Sequence, residues 1–234
     1  METQDGFILG IFNYCDRWCE RCTLSGRCSV FAEEQRMVFG APPSSFSGAM
    51  PAPRSLGAAA AGFEAAQPDE APDLQLDEGS IRRAEPNFTV EEADFHRRVS
   101  ELGRRLSAWL VPESRAAEPE VADAAEVVRH FGFFIGPKVY RALTGRADIA
   151  EDGPRSDALG SAKAALLAFD RLGEAWLHLA ELGAINLFEA APVLTELQQL
   201  TTSLDRLFPR ARSFVRPGFD EPAAVALLEW SERG

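Results

Sequence analysis

From Thr89 onward the apolar residues recur three and four positions apart, the spacing that gathers them on one face of an α-helix, and they do so in four stretches. The first runs from about Thr89 to Leu110 along Phe88, Phe95, Val99, Leu102, Leu106 and Trp109. Thr89 stands where an N-cap belongs, Glu92 follows three residues later as in a capping box, and Pro112 ends the stretch. The second opens at Pro119, a residue suited to a first turn, and reaches Leu143 just before Gly145. It carries Val121, Ala124, Val128, Phe131, Ile135 and Val139, and Phe133 with Phe134 widens its apolar face. A helix apolar on two sides needs two neighbours, so the N-terminal lobe or the C-terminal segment is expected to cover the second side. Pro137 predicts a kink or a break after Gly136.

The third stretch, about Ser156 to Leu182, places Leu159, Ala162, Leu166, Phe169, Gly173, Trp176 and Ala180 in line. The fourth, about Asn186 to Phe208, repeats the pattern with Leu187, Ala190, Leu194, Leu197, Thr201 and Leu204. Only a few residues join these two, which demands an antiparallel pair. The expected fold is therefore all-α: an up-down four-helix bundle over residues 88–212, with a tail over 213–234 whose last part, about Glu221 to Trp230, forms a short capping helix. Upstream, residues 40–87 are rich in Ala, Pro and Gly and read as a flexible linker. Leu74, Leu76 and Ile81 within it dock on the bundle, form a short partner-binding segment, or are ordinary linker. Residues 1–39 form a small lobe with a helix from Ser29 to about Phe39, whose Val30, Phe31, Met37 and Val38 can fold back on the lobe or the main body.

With 234 residues and 46% hydrophobic content, the chain can bury a sizeable core. Its formal charge of −12 speaks against nucleic-acid binding, which needs clustered Lys and Arg. No apolar run reaches the length of a membrane span, and METQDGFILGIF lacks the basic and apolar regions of an export signal. A cytoplasmic protein with no membrane partner is the expectation.

The candidate chemistry lies in FNYCDRWCERCTLSGRCSVF, which holds all four cysteines of the chain. Cys15, Cys19, Cys22 and Cys28 follow C-x3-C-x2-C-x5-C, close enough in sequence to converge on one ion or cluster. Disulfides belong to oxidising compartments and small loop-rich domains, and four unliganded thiols are the plainer alternative; a shared metal centre leads. Structural zinc sites usually pair two knuckles across a longer loop, whereas [4Fe–4S] clusters accept a continuous run. Both metals stay open, with the cluster ahead. Phe12, Tyr14, Trp18, Val30 and Phe31 are placed to form an apolar collar, or simply to pack the lobe, and Arg17, Arg21 and Arg27 to offset thiolate charge.

The segment CERCTLSGRC, with Cys19, Cys22 and Cys28, resembles the end of the [4Fe–4S] loop of helix-hairpin-helix DNA glycosylases, which implies a cluster; their catalytic motif has no counterpart here. CDRWCERC shares the C-x3-C-x2-C spacing of radical SAM enzymes, but Arg21 stands where that motif has an aromatic and no alternating strands and helices follow. Taken together, YCDRWCERC, GSAKAALLAFDR and FPRARSFVRPGFD resemble an uncharacterised bacterial family, which implies a bacterial protein and supplies no activity.

Three Glu–His pairs four apart, Glu92/His96, Glu126/His130 and Glu174/His178, share helix faces. Di-metal sites in bundles use Glu-x-x-His on core-facing positions, and these pairs miss both conditions, so surface ion pairs are expected. The stripe Lys163, Asp170, Glu174 and His178, beside Arg171, is either a salt-bridge network or a polar site for acid–base work or a small anion. Arg210, Arg212 and Arg216, interleaved with Phe208, Phe214 and Phe219, pair with the bundle's own acids or with a partner's. Three functions follow: a [4Fe–4S] electron-transfer or redox-sensing protein with a protein partner, a zinc-stapled interaction protein, or an enzyme using the Lys163 to His178 stripe.

Overall fold

The computed structural model describes residues 3–4, 6–39, 88–109, 111, 115, 117–146 and 156–220, and these are mostly helical. Strands β1 (Thr3–Gln4) and β2 (Phe7–Ile8) pair antiparallel. A single turn, α1 (Ile11–Tyr14), two 3-10 turns at Cys19–Arg21 and Ser25–Arg27, and α2 (Ser29–Phe39) complete the N-terminal lobe. The long helices are α3 (Val90–Ser107), α4 (Pro119–Thr144), α5 (Asp157–Glu181) and α6 (Leu187–Leu207). The expected linker at 40–87 and the expected helix at 221–230 lie outside the described residues.

The helix boundaries follow local chemistry. Thr89 Oγ1 accepts the Glu92 amide at 3.2 Å while Glu92 Oε2 accepts the Thr89 amide at 2.9 Å, closing the capping box that starts α3. Ser156 caps α5, and Asn186 with Glu189 forms a second capping box on α6. Between them Gly183 adopts φ 73°, a left-handed conformation that suits glycine, and the Ala184 amide bonds back to the Leu179 carbonyl at 2.8 Å. Pro137 sits inside an unbroken α4, so of the expected kink or break after Gly136 the break does not occur.

Helix α4 lies between α3 and α5, and α6 packs on α5. Phe131, Phe169, Leu102, Ile135, Leu166, Leu172, Leu200 and Leu204 are fully buried and fill the core. Alanines at 158, 162 and 165 on α5 are buried as well, which lets α4 and α5 approach closely. At the α3–α4 crossing the backbones touch: a Cβ on Gly103 would overlap the Gly132 carbonyl and come within 3.2 Å of Ile135 Cγ1. The widened face of α4 is used in part. Phe134 is buried, but Phe133 is 78% exposed. Trp18 of the lobe covers the second side, stacked 4.3 Å from the His130 ring and edge-on to Phe131 at 5.7 Å.

The lobe is also anchored on α5, where Tyr14 lies so tightly over Gly160 that a Cβ there would overlap the ring. Phe208, Ala211 and Phe214 of the segment after α6 are buried too. Among the described residues, no helix is long and apolar enough to cross a membrane.

Candidate metal centre

The four cysteines are brought together by turns rather than by regular structure. Cys15 ends α1 in an extended conformation. Arg17 follows at φ 60°, the one non-glycine in the left-handed region among the described residues. Asp16 Oδ1 accepts the Trp18 amide at 3.2 Å and fixes that turn. The two 3-10 turns then deliver Cys22 and Cys28 as their C-terminal caps.

Cys15, Cys19, Cys22 and Cys28 line one tight pocket, with about 20 Å³ open to the centre of a water-sized sphere. All four are free thiols. Cys15 Sγ donates to the Phe12 carbonyl at 3.4 Å, while the nearby Arg17 and Leu24 amides favour the Cys15 and Cys22 thiolates. Burial outweighs them and pushes both thiols up. Burial also pushes Cys19 up, to about 11, and the other three cysteines add to the rise. At neutral pH Cys19 therefore keeps its proton.

An all-sulfur donor set suits zinc or an iron–sulfur cluster. Among the described residues, no three His, Cys, Asp or Glu side chains form a group that could hold a metal ion as they stand.

The surroundings differ in part from the expected collar. Phe12 and Trp18 line the pocket, whereas Tyr14 is spent on α5, and Val30 and Phe31 are not in the lining. Ile11, Leu24 and Phe219 take their places. Phe219 arrives from some 190 residues downstream, and no local pattern announced it. Of the arginines, Arg17 lies 3.6 Å from Glu34, and Arg21 bonds Asp123 at 2.7 Å and Glu126 at 2.5 Å across the junction with α4.

Further polar contacts hold the lobe to the helices. Arg171 donates to Asp16 at 2.6 Å, and His130 Nε2 lies 3.0 Å from the Asp16 carbonyl. Lys138 donates to the Asn13 carbonyl at 2.8 Å; burial pushes its ammonium down to about 8. A cleft of about 700 Å³ remains between the lobe and α4 and α5, bordered by Trp18 and Cys22 on one side and by Glu174 and His178 on the other.

The expected Glu–His surface pairs are not made. Glu126 bonds Arg21 while His130 stacks on Trp18; Glu92 serves the cap and Arg146; His178 Nδ1 is 3.5 Å from Glu181. The stripe on α5 divides. Lys163 bonds Asp220 at 2.7 Å and the Phe214 carbonyl at 2.6 Å, and Asp170 lies 3.7 Å from Arg212, so both hold the segment after α6. Glu174 and His178 border the cleft instead. Arg212 and Arg216 pair with the chain's own Asp205 and Asp220. The chain matches no protein-family model, no curated protein and no solved structure.

Proposed function

We propose that Cys15, Cys19, Cys22 and Cys28 hold a [4Fe–4S] cluster in a small lobe carried on a four-helix bundle, and that the protein serves cytoplasmic electron transfer or redox sensing with a protein partner. The observation that carries this reading is that four thiols from one short C-x3-C-x2-C-x5-C run, delivered by separate turns, line one pocket. Structural zinc sites usually pair two knuckles across a longer loop rather than use one continuous run. A cubane presents four separate iron corners, each taking one sulfur, and so accepts a wider ring. When bound, the cluster would supply one-electron redox chemistry. The nearby Arg17 and Leu24 amides would offset negative charge on the sulfurs and so raise a reduction potential. Phe12, Leu24 and Trp18 limit water at the pocket.

The small open volume, about 20 Å³, favours the second reading: one zinc ion drawn in by modest side-chain rotation, stapling a lobe too small to hold its own core. Metal and acid-labile sulfide analysis of protein purified without oxygen separates the two. About four iron and four sulfide per chain support the cluster. One zinc without sulfide refutes electron transfer and leaves an interaction protein.

A further inference from the structure

The cleft beside the cysteine pocket has the size of a small-molecule site, about 700 Å³. It shares Trp18, Cys22 and Phe219 with the cysteine pocket, so anything bound in it touches the same wall. Three of its lining rings each carry an arginine: Arg21 lies 4.3 Å from the Trp18 ring centre, Arg171 5.2 Å from Phe131 and Arg216 5.0 Å from Phe219. Every one of these guanidiniums is also held at its edge by a carboxylate, at 2.7 Å from Asp123, 2.6 Å from Asp16 and 2.9 Å from Asp220.

A guanidinium fixed in this way has its charge compensated, and for Arg216 the Asp220 carboxylate also takes the Nε and Nη2 edge. With its charge compensated, each offers a flat, polarisable surface, which stacks well on unsaturated rings. Val127 and Ala175 add an apolar wall. Glu174 is the exception to this pairing: it borders the cleft, and among the described residues it has no ion-pair or hydrogen-bond partner. A lone carboxylate beside stacking surfaces accepts N–H donors at a ring edge.

We propose that this cleft binds a planar nitrogen heterocycle of the flavin, pterin or purine kind, with its faces against the arginine-covered aromatic walls and its N–H edge on the Glu174 carboxylate. The assignment rests on the cleft alone and is independent of which metal the cysteines hold.

The test is titration calorimetry on the full-length chain as purified, with flavin mononucleotide and guanosine as probes, so that the outcome tells flavin from purine. Saturable one-to-one binding of at least one probe is expected. Glu174→Gln should weaken it tenfold or more, the size of a lost hydrogen bond to a charged group. Glu174 is exposed on α5, and unchanged circular dichroism checks that the fold is kept. Glu101→Gln, on α3 and outside the cleft, should bind like the parent. Three results overturn the proposal: neither probe saturating below about 1 mM, Glu174→Gln binding as tightly as the parent, or inorganic phosphate displacing the flavin nucleotide, which would make the site one for the phosphate rather than the ring.

Discussion

Replacing Asp220 by asparagine tests how the C-terminal segment is held beneath the lobe. Its carboxylate accepts Lys163 at 2.7 Å, the Arg216 guanidinium at 2.9 Å and the Arg216 amide at 2.9 Å, with only 22% of the side chain exposed. Burial alone would push this carboxyl up, but the Arg216 and Lys163 bonds outweigh it and hold it at about 2, against an ordinary 3.8. A tenfold change in proton affinity is worth about 1.4 kcal/mol, so the charged network contributes on the order of 2 kcal/mol at neutral pH. Because the folded-state pKa is depressed, that contribution is fully present above about pH 4 and is lost as pH falls toward 2.

Asp220→Asn should therefore unfold at lower urea than the parent at pH 7, by an amount equivalent to about 1–2 kcal/mol, and the two proteins should converge near pH 2. Urea titrations followed by far-UV circular dichroism at a series of pH values measure the difference. A gap below about 0.5 kcal/mol at pH 7, or a gap that persists undiminished at pH 2, would refute the reasoning.

Gly103→Ala gains about 1 kcal/mol of helix propensity but drives a Cβ into the Gly132 carbonyl, which belongs to a packed backbone. Thermal melts should show net destabilisation, since overpacking typically costs about 1–3 kcal/mol. Gly160→Val displaces Tyr14 from α5 and should release the lobe, read as faster alkylation of the buried Cys15 with the helical signal largely kept. In metal-free, reduced protein Cys19 should resist alkylation at pH 8, because burial holds its thiol at about 11; site-resolved mass spectrometry reads this, and rapid labelling of Cys19 would contradict it. Phe188→Ser changes a side chain that is 92% exposed and should shift stability by less than about 0.5 kcal/mol in the same urea assay.

Much of the helical layout was legible because its signals are local. Thr89 and Glu92, Pro119, Ser156 and Asn186 act within one turn of their own helix, and α3 to α6 begin where these residues predict. Where the apolar line was read too generously, geometry explains the difference. At about 100° per residue, Leu187 lies some 60° off the line through Ala190, Leu197 and Leu204, and it is exposed while those three are buried. Phe133 likewise falls on the solvent side of α4, one position from buried Phe134. The Gly103–Gly132 contact carries no periodic signature in either helix, because it depends on how the two axes cross.

The sequence by itself determined a mostly helical chain, its caps, and four cysteines near enough along the backbone to face one another. Tertiary structure decided what the polar groups do. Arg21 meets Asp123 and Glu126, Arg171 meets Asp16, and Lys163 meets Asp220, each across more than fifty residues of chain. These partners are chosen by the docking of the lobe and the C-terminal segment on α4 and α5. Helix periodicity places a residue on a face, but a salt bridge spans only about 4 Å, so its partner is fixed only when two distant faces meet.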